Sequence, residues 1–127
     1  MRKSTDNLIE ANEILSRKYI DAEVCRFSPT YGGRLVMQLE SNFQETYDAD
    51  TKEVLFITIV GCRHISGNFR IENPKLKLTQ INNNDEVITI LEDEDARFRL
   101  IANNAFSITW GFDSDFDDMF ENFVSQW

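Results

Sequence analysis

Residues 53–60 read EVLFITIV, a run that is apolar on both of the faces a strand presents in alternation. A strand of this kind has no side to give to water, so it belongs at the centre of a sheet with material packed above and below it. Other stretches alternate with a period of two and supply the neighbours. AEVCRFS (22–28) is followed by RLVMQLES (34–41), in which Leu35, Met37 and Leu39 point one way and Gln38 and Glu40 the other. Between them SPTYGG, with Pro29, Gly32 and Gly33, has the residues of a hairpin-type turn. CRHISG (62–67) either prolongs the central strand past Gly61 as a bulge or returns as a short strand. NFRIE precedes Pro74. EVITILE, RFRLIAN and AFSITWGF then alternate again, with Asn103 and Asn104 suited to the tight turn between the last two.

Two segments change to the helical period. In STDNLIEANEILSRKY (4–19), Asn7 and Glu10 have capping-box spacing, Leu8, Ala11, Leu15 and Tyr19 fall on one side, and Glu13 and Arg17 stand one turn apart, placed to pair. Near the end, Phe116, Met119, Phe120, Phe123 and Trp127 recur as one apolar stripe, which predicts a helix from about residue 115 to 123. Asp113 or Ser114 would accept hydrogen bonds at its start, with Asp115, Asp117 and Asp118 opposing the positive end of its dipole. The stripe packs either on its own sheet or on another molecule. Together these elements predict a single α+β domain over 1–127, mainly antiparallel β-sheet folded as a sandwich or half-barrel, with an N-terminal and a C-terminal helix.

A chain of 127 residues with 42% apolar content needs no disulfide or metal to fold. The net charge is −9, and Asp113, Asp115, Asp117, Asp118 and Glu121 supply five of the negative charges within the last 18 residues. That balance disfavours nucleic acid, whose phosphates need clustered Lys and Arg, and favours a basic protein partner. Two cysteines make no disulfide scaffold, the first 16 residues lack the pattern of a signal peptide, and no apolar run is long enough to cross a bilayer. The expectation is a cytoplasmic protein with reduced thiols and no membrane contact.

Several chemistries start and then fail. Asp113, Asp115 and Asp117 mimic the first alternating ligands of a calcium loop, but position six is Asp118 instead of glycine and position twelve is Val124 instead of glutamate. Cys62 and His64 offer two zinc ligands where three or four are needed. His64 is the single histidine, no nucleophile motif surrounds it, and Gly32–Gly33 forms no phosphate-binding fingerprint. The acidic run EDED (92–95) reads as a solvated turn. The expectation is therefore no enzyme, no metal and no cofactor.

DAEVCRF with GGRLVMQLES, then EVLFITIVGCRHISG, then RFRLIANNAFSITW, spanning residues 21–110, resembles small bacterial immunity proteins of polymorphic toxin systems. The resemblance implies a compact, sheet-rich domain that binds and blocks a cognate toxin without catalysis, and it assigns no functional residues. On the residues themselves, the first candidates for partner binding are Asp113, Asp115, Asp117, Asp118 and Glu121 as an acidic face, with Trp110 and Trp127 as aromatic anchors. A homodimer through the same stripe is a further possibility. The alternative function is a small-molecule or ion-binding β domain, its ligand held between the sheet and the C-terminal helix.

Overall fold

The computed structural model describes residues 2–28, 33–41, 52–103 and 105–116. It is 65% strand. In chain order the elements are β1 (Lys3–Thr5), α1 (Leu8–Leu15), β2 (Tyr19–Ser28), β3 (Arg34–Ser41), β4 (Glu53–Ile59), β5 (Cys62–Gly67), β6 (Arg70–Glu72), β7 (Leu76–Asn83), β8 (Glu86–Asp93), β9 (Phe98–Ala102) and β10 (Phe106–Phe112), followed by a 3-10 turn at Asp113–Asp115. Among the described residues every strand pairing is antiparallel. One sheet has the order β1-β10-β4-β3-β2-β6, the other β5-β9-β8-β7.

β4 takes the central place its sequence demands. Leu55, Ile57 and Ile59 face the interior, where they join Leu35, Met37 and Leu39 of β3, Ile108 of β10 and, from the other sheet, Leu78, Leu91, Phe98 and Leu100. Ala11, Ile14 and Leu15 of α1 belong to the same core. The opposite face of β4 is also closed: Val54 and Phe56 pack with Val36 and Phe116. The Phe56 and Phe116 rings meet edge to face with centroids 5.1 Å apart, and the Arg2 guanidinium carbon lies 5.7 Å from the Phe116 centroid.

The expectation of helices at both ends is corrected: the described residues form a mainly antiparallel β structure with one short α-helix among them. After β10 the backbone tightens into the 3-10 turn because the Asp115 carboxylate accepts the Phe112 amide at 2.8 Å. The later part of the predicted C-terminal helix, residues 117–123, lies outside the described residues. The N-terminal helix is shorter than 4–19 because Lys3–Thr5 pairs with Ile108–Trp110. Its predicted cap is present, Asn7 accepting the Glu10 amide at 3.0 Å. Tyr19 begins β2 instead of ending the helix. Glu13 and Arg17 form no ion pair with each other; the Ser16 hydroxyl instead donates to the Glu13 carbonyl at the helix end.

CRHISG forms a short strand of its own and not a bulged extension of β4, and it crosses to the other sheet to pair with β9. β9 and β10, between which a tight turn at Asn103 and Asn104 was expected, lie in different sheets, and Asn104 itself falls outside the described residues. β1 and β7 are strands the sequence pattern did not show. No described helix is long and apolar enough to cross a membrane.

Candidate functional site

A groove of about 1000 Å³ opens where the C-terminal end of α1 meets the starts of β2 and β7 and the end of β8. This is at the upper end of the size that encloses small ligands. Leu15, Tyr19 and Leu76 form its buried floor, while Arg17, Lys18, Lys75 and Lys77 stand exposed on its walls. Burial pushes the Tyr19 hydroxyl up to about 12, so it stays protonated and donates to the Ile14 carbonyl at 2.7 Å.

Two polar contacts fix the walls. Asn12 holds α1 to the edge of β7 through both ends of its amide: Nδ2 donates to the Leu78 carbonyl at 2.9 Å and Oδ1 accepts the Leu78 N–H at 2.8 Å. The second contact is built on Asp93, which is only 3% exposed. Its Oδ2 accepts Arg97 Nε at 2.8 Å and the Asp95 amide at 3.2 Å, and its Oδ1 accepts the Lys75 amide at 3.0 Å. Arg97 also donates to the carbonyls of Glu72 and Asn73. Burial alone would raise the Asp93 carboxyl, but the Arg97 guanidinium and the amides of Lys75 and Arg97 outweigh it and hold the group below the usual carboxylate range. The EDED run is thus not simply a solvated turn, because its second residue is the buried centre of a clamp. Next to the clamp, Gly67 at φ +105° brings its backbone against the Arg97 carbonyl, where any Cβ would collide.

The charge distribution singles out the groove. All 13 Lys and Arg lie among the described residues. Arg2, Arg26, Arg34, Lys52, Arg63, Arg70, Arg97 and Arg99 each engage a partner. The side chains of Lys3, Arg17, Lys18, Lys75 and Lys77 engage none among the described residues, and the last four all line the groove. Of the acids beside them, Glu92 is paired with Arg99 at 3.5 Å and Asp93 with Arg97. Among the described residues only Glu94 of the lining acids is left uncompensated. In a chain of net charge −9, unneutralised positive charge is concentrated at one concave place. Among the described residues the lining has neither histidine nor cysteine, and the Ser16 hydroxyl donates to the Glu13 carbonyl.

The residues singled out from the sequence lie elsewhere. Trp110 sits on β10, partly buried against the core and paired across the strands with Lys3 and Leu55. Asp113 opens the 3-10 turn, and Asp115 caps Phe112 within it. Asp117, Asp118, Glu121 and Trp127 fall outside the described residues. Cys62 and His64 are not joined: a register shift between them turns Cys62 to the core and His64 to the solvent face. Burial pushes the Cys62 thiol up to about 11. Among the described residues no three His, Cys, Asp or Glu cluster as metal ligands. The groove cations were missed because each is an ordinary surface residue in its own segment. Arg17–Lys18 follows a helix and Lys75–Leu76–Lys77 opens an unrecognised strand, and only the tertiary fold brings the two together.

No family model, curated protein or solved structure matches the chain.

Proposed function

We propose that this protein is a noncatalytic binding module whose groove between α1, β7 and β8 holds a negatively charged ligand. The observation that carries the reading is the convergence, on one concave surface of an acidic chain, of four cations that engage no partner among the described residues. Charges without internal partners keep their full interaction for an incoming anion, and the clamp of Asp93 and Arg97 beneath them keeps the walls in place before binding. This keeps the binding-module class and the notion of a ligand between helix and sheet, but with α1 in the helical role. The inhibitory role implied by the resemblance to immunity proteins fits within it if the blocked partner presents an acidic segment.

Backbone amide shifts during titration with hexaglutamate provide the test. Shifts should concentrate at Arg17, Lys18 and Lys75–Lys77, and the doubly neutralised variant Lys75→Gln, Lys77→Gln should bind about tenfold more weakly as two charge contacts are lost. Shifts that scatter over the surface, or an affinity unchanged in the variant, would remove the groove as the site.

A further inference from the structure

We infer that the ligand is an extended stretch of acidic polypeptide carrying the pattern acid–apolar–acid, paired to the open edge of β7 at Leu76; this rests on the anion-groove reading above. Among the described residues β7 is an edge strand of its sheet, with β8 on one side only. In an antiparallel ladder a residue points both its N–H and its C=O either toward the paired strand or away from it, and the direction alternates along the chain. Leu78 directs both groups away from β8, since both are taken by the Asn12 amide. Lys75 is turned the other way, its carbonyl accepting the Glu94 amide at 2.9 Å. Leu76 therefore shares the outward direction of Leu78, and its N–H and C=O face the groove. Asn12 already does for Leu78 what one residue of an added strand would do, and among the described residues nothing takes the equivalent place beside Leu76.

The side chains around that place determine what sequence fits. Directly opposed residues of paired strands share a face. The peptide residue opposite Leu76 points inward, over a floor made by Leu15, Tyr19 and Leu76, and so is apolar. Its two neighbours lie opposite Lys75 and Lys77, on the other face, and so are acidic. Arg17 and Lys18 extend the positive field along the second wall. Pro74, with no N–H to offer, ends the usable edge on one side, and Asn12 ends it on the other. A second copy of this chain is a poor occupant, because pairing two β7 edges here would set Lys75 and Lys77 against the same cations of the other molecule. Strand addition of this kind draws affinity from the main chain and specificity from alternate side chains.

Four probes against the full chain separate the possibilities: by fluorescence anisotropy a short peptide with a central Glu-Leu-Glu, the same peptide with N-methyl-leucine at the centre and one with the leucine outside the glutamates, and by backbone amide shifts inorganic triphosphate. The parent peptide should bind, and the N-methylated one about tenfold more weakly, for the loss of a backbone hydrogen bond and the clash at the edge. Placing the leucine outside the two glutamates should weaken binding similarly. Equal binding of parent and N-methylated peptides would overturn the strand pairing while leaving the anion groove standing. If neither the peptides nor triphosphate binds, both the inference and the reading beneath it fall. Lys75→Gln, Lys77→Gln and Arg17→Gln alter only exposed side chains, so circular dichroism should show each variant folded and a loss of binding can be read as a loss of contact.

Discussion

The molecule uses opposite chemistry at two of its junctions. At the groove, Asp93 and Arg97 tie the β8–β9 turn to the segment between β6 and β7 with charge-assisted hydrogen bonds. On the outer side of the six-stranded sheet, Phe116 closes the chain over Phe56, Val36 and Val54 with apolar contact. The apolar junction is made at a surface that needs only to be sealed. The ionic one lies beneath a site lined with cations, where an aliphatic plug could not accept the turn amides that Asp93 holds. The difference also predicts how each fails, since burial of carbon is indifferent to protonation and a carboxylate is not.

Removing the aromatic junction should have the larger effect. Phe116 is 2% exposed, and Phe116→Ala should destabilise the fold by about 3–5 kcal/mol, the range for deleting a buried aromatic ring. Urea unfolding should show that loss equally at pH 7 and pH 5. A loss below about 1 kcal/mol would mean that the ring is a lid and not part of the core.

The ionic junction ranks next. Asp93→Ala leaves Arg97 and the Lys75 amide without their acceptor and should cost about 2–3 kcal/mol, tempered because Arg97 is partly exposed and regains water. Its pH signature has a definite sign. The folded carboxyl is held below its unfolded value, so the stabilisation is complete above the ordinary carboxylate range near pH ~4 and is lost as the pH falls through and below that range. Wild-type stability should therefore drop more steeply than that of Asp93→Asn between pH 5 and pH 3. Parallel curves for the two proteins would show that Asp93 contributes no proton linkage.

These two junctions also mark what the sequence made legible. β4 could be placed because both of its faces are apolar, and that requirement holds whatever the neighbours are. Asn7 could be placed because a cap is a local contact. β7 was obscure: only Leu76 and Leu78 are buried in a strand whose later half is Gln80, Ile81, Asn82 and Asn83, so alternation fades where the strand leaves the core. The helix expected near residues 115–123 rested on a stripe that begins with Phe116. That ring is buried on the sheet, yet the backbone reaches it through a 3-10 turn held by Asp115. Asp93 was read with its acidic neighbours, because nothing in EDED distinguishes the one residue that meets Arg97 from those that meet water. The groove depended on a contact between distant segments, for Asn12 and Leu78, whose paired hydrogen bonds close its wall, stand 66 positions apart in the chain.

Asn12 tests whether the groove wall is itself held by the device inferred for the ligand. Asn12→Ala removes two hydrogen bonds to Leu78 on a partly buried edge and should destabilise by about 1–2 kcal/mol. In hydrogen exchange the Leu78 amide should lose protection more than the amides of Thr79 or Ile90, which belong to the β7–β8 ladder. Uniform loss across β7 would mean that the helix stabilises the strand by packing alone.

The smallest effect on stability should come from the groove cations, and that smallness is what separates function from fold. Lys75 and Lys77 are exposed and have no ion-pair partner among the described residues, so Lys75→Gln, Lys77→Gln should change the unfolding free energy by no more than about 0.5 kcal/mol. Neutralising them also relieves their repulsion with Arg17 and Lys18 across the groove, which offsets any long-range attraction from the acidic remainder of the chain. Binding of an acidic peptide should fall at the same time, because those interactions were never committed to the fold. A large loss of stability in this variant would reverse the assignment, making the cations part of the structure in the way Arg97 is and leaving the groove without free charge to offer.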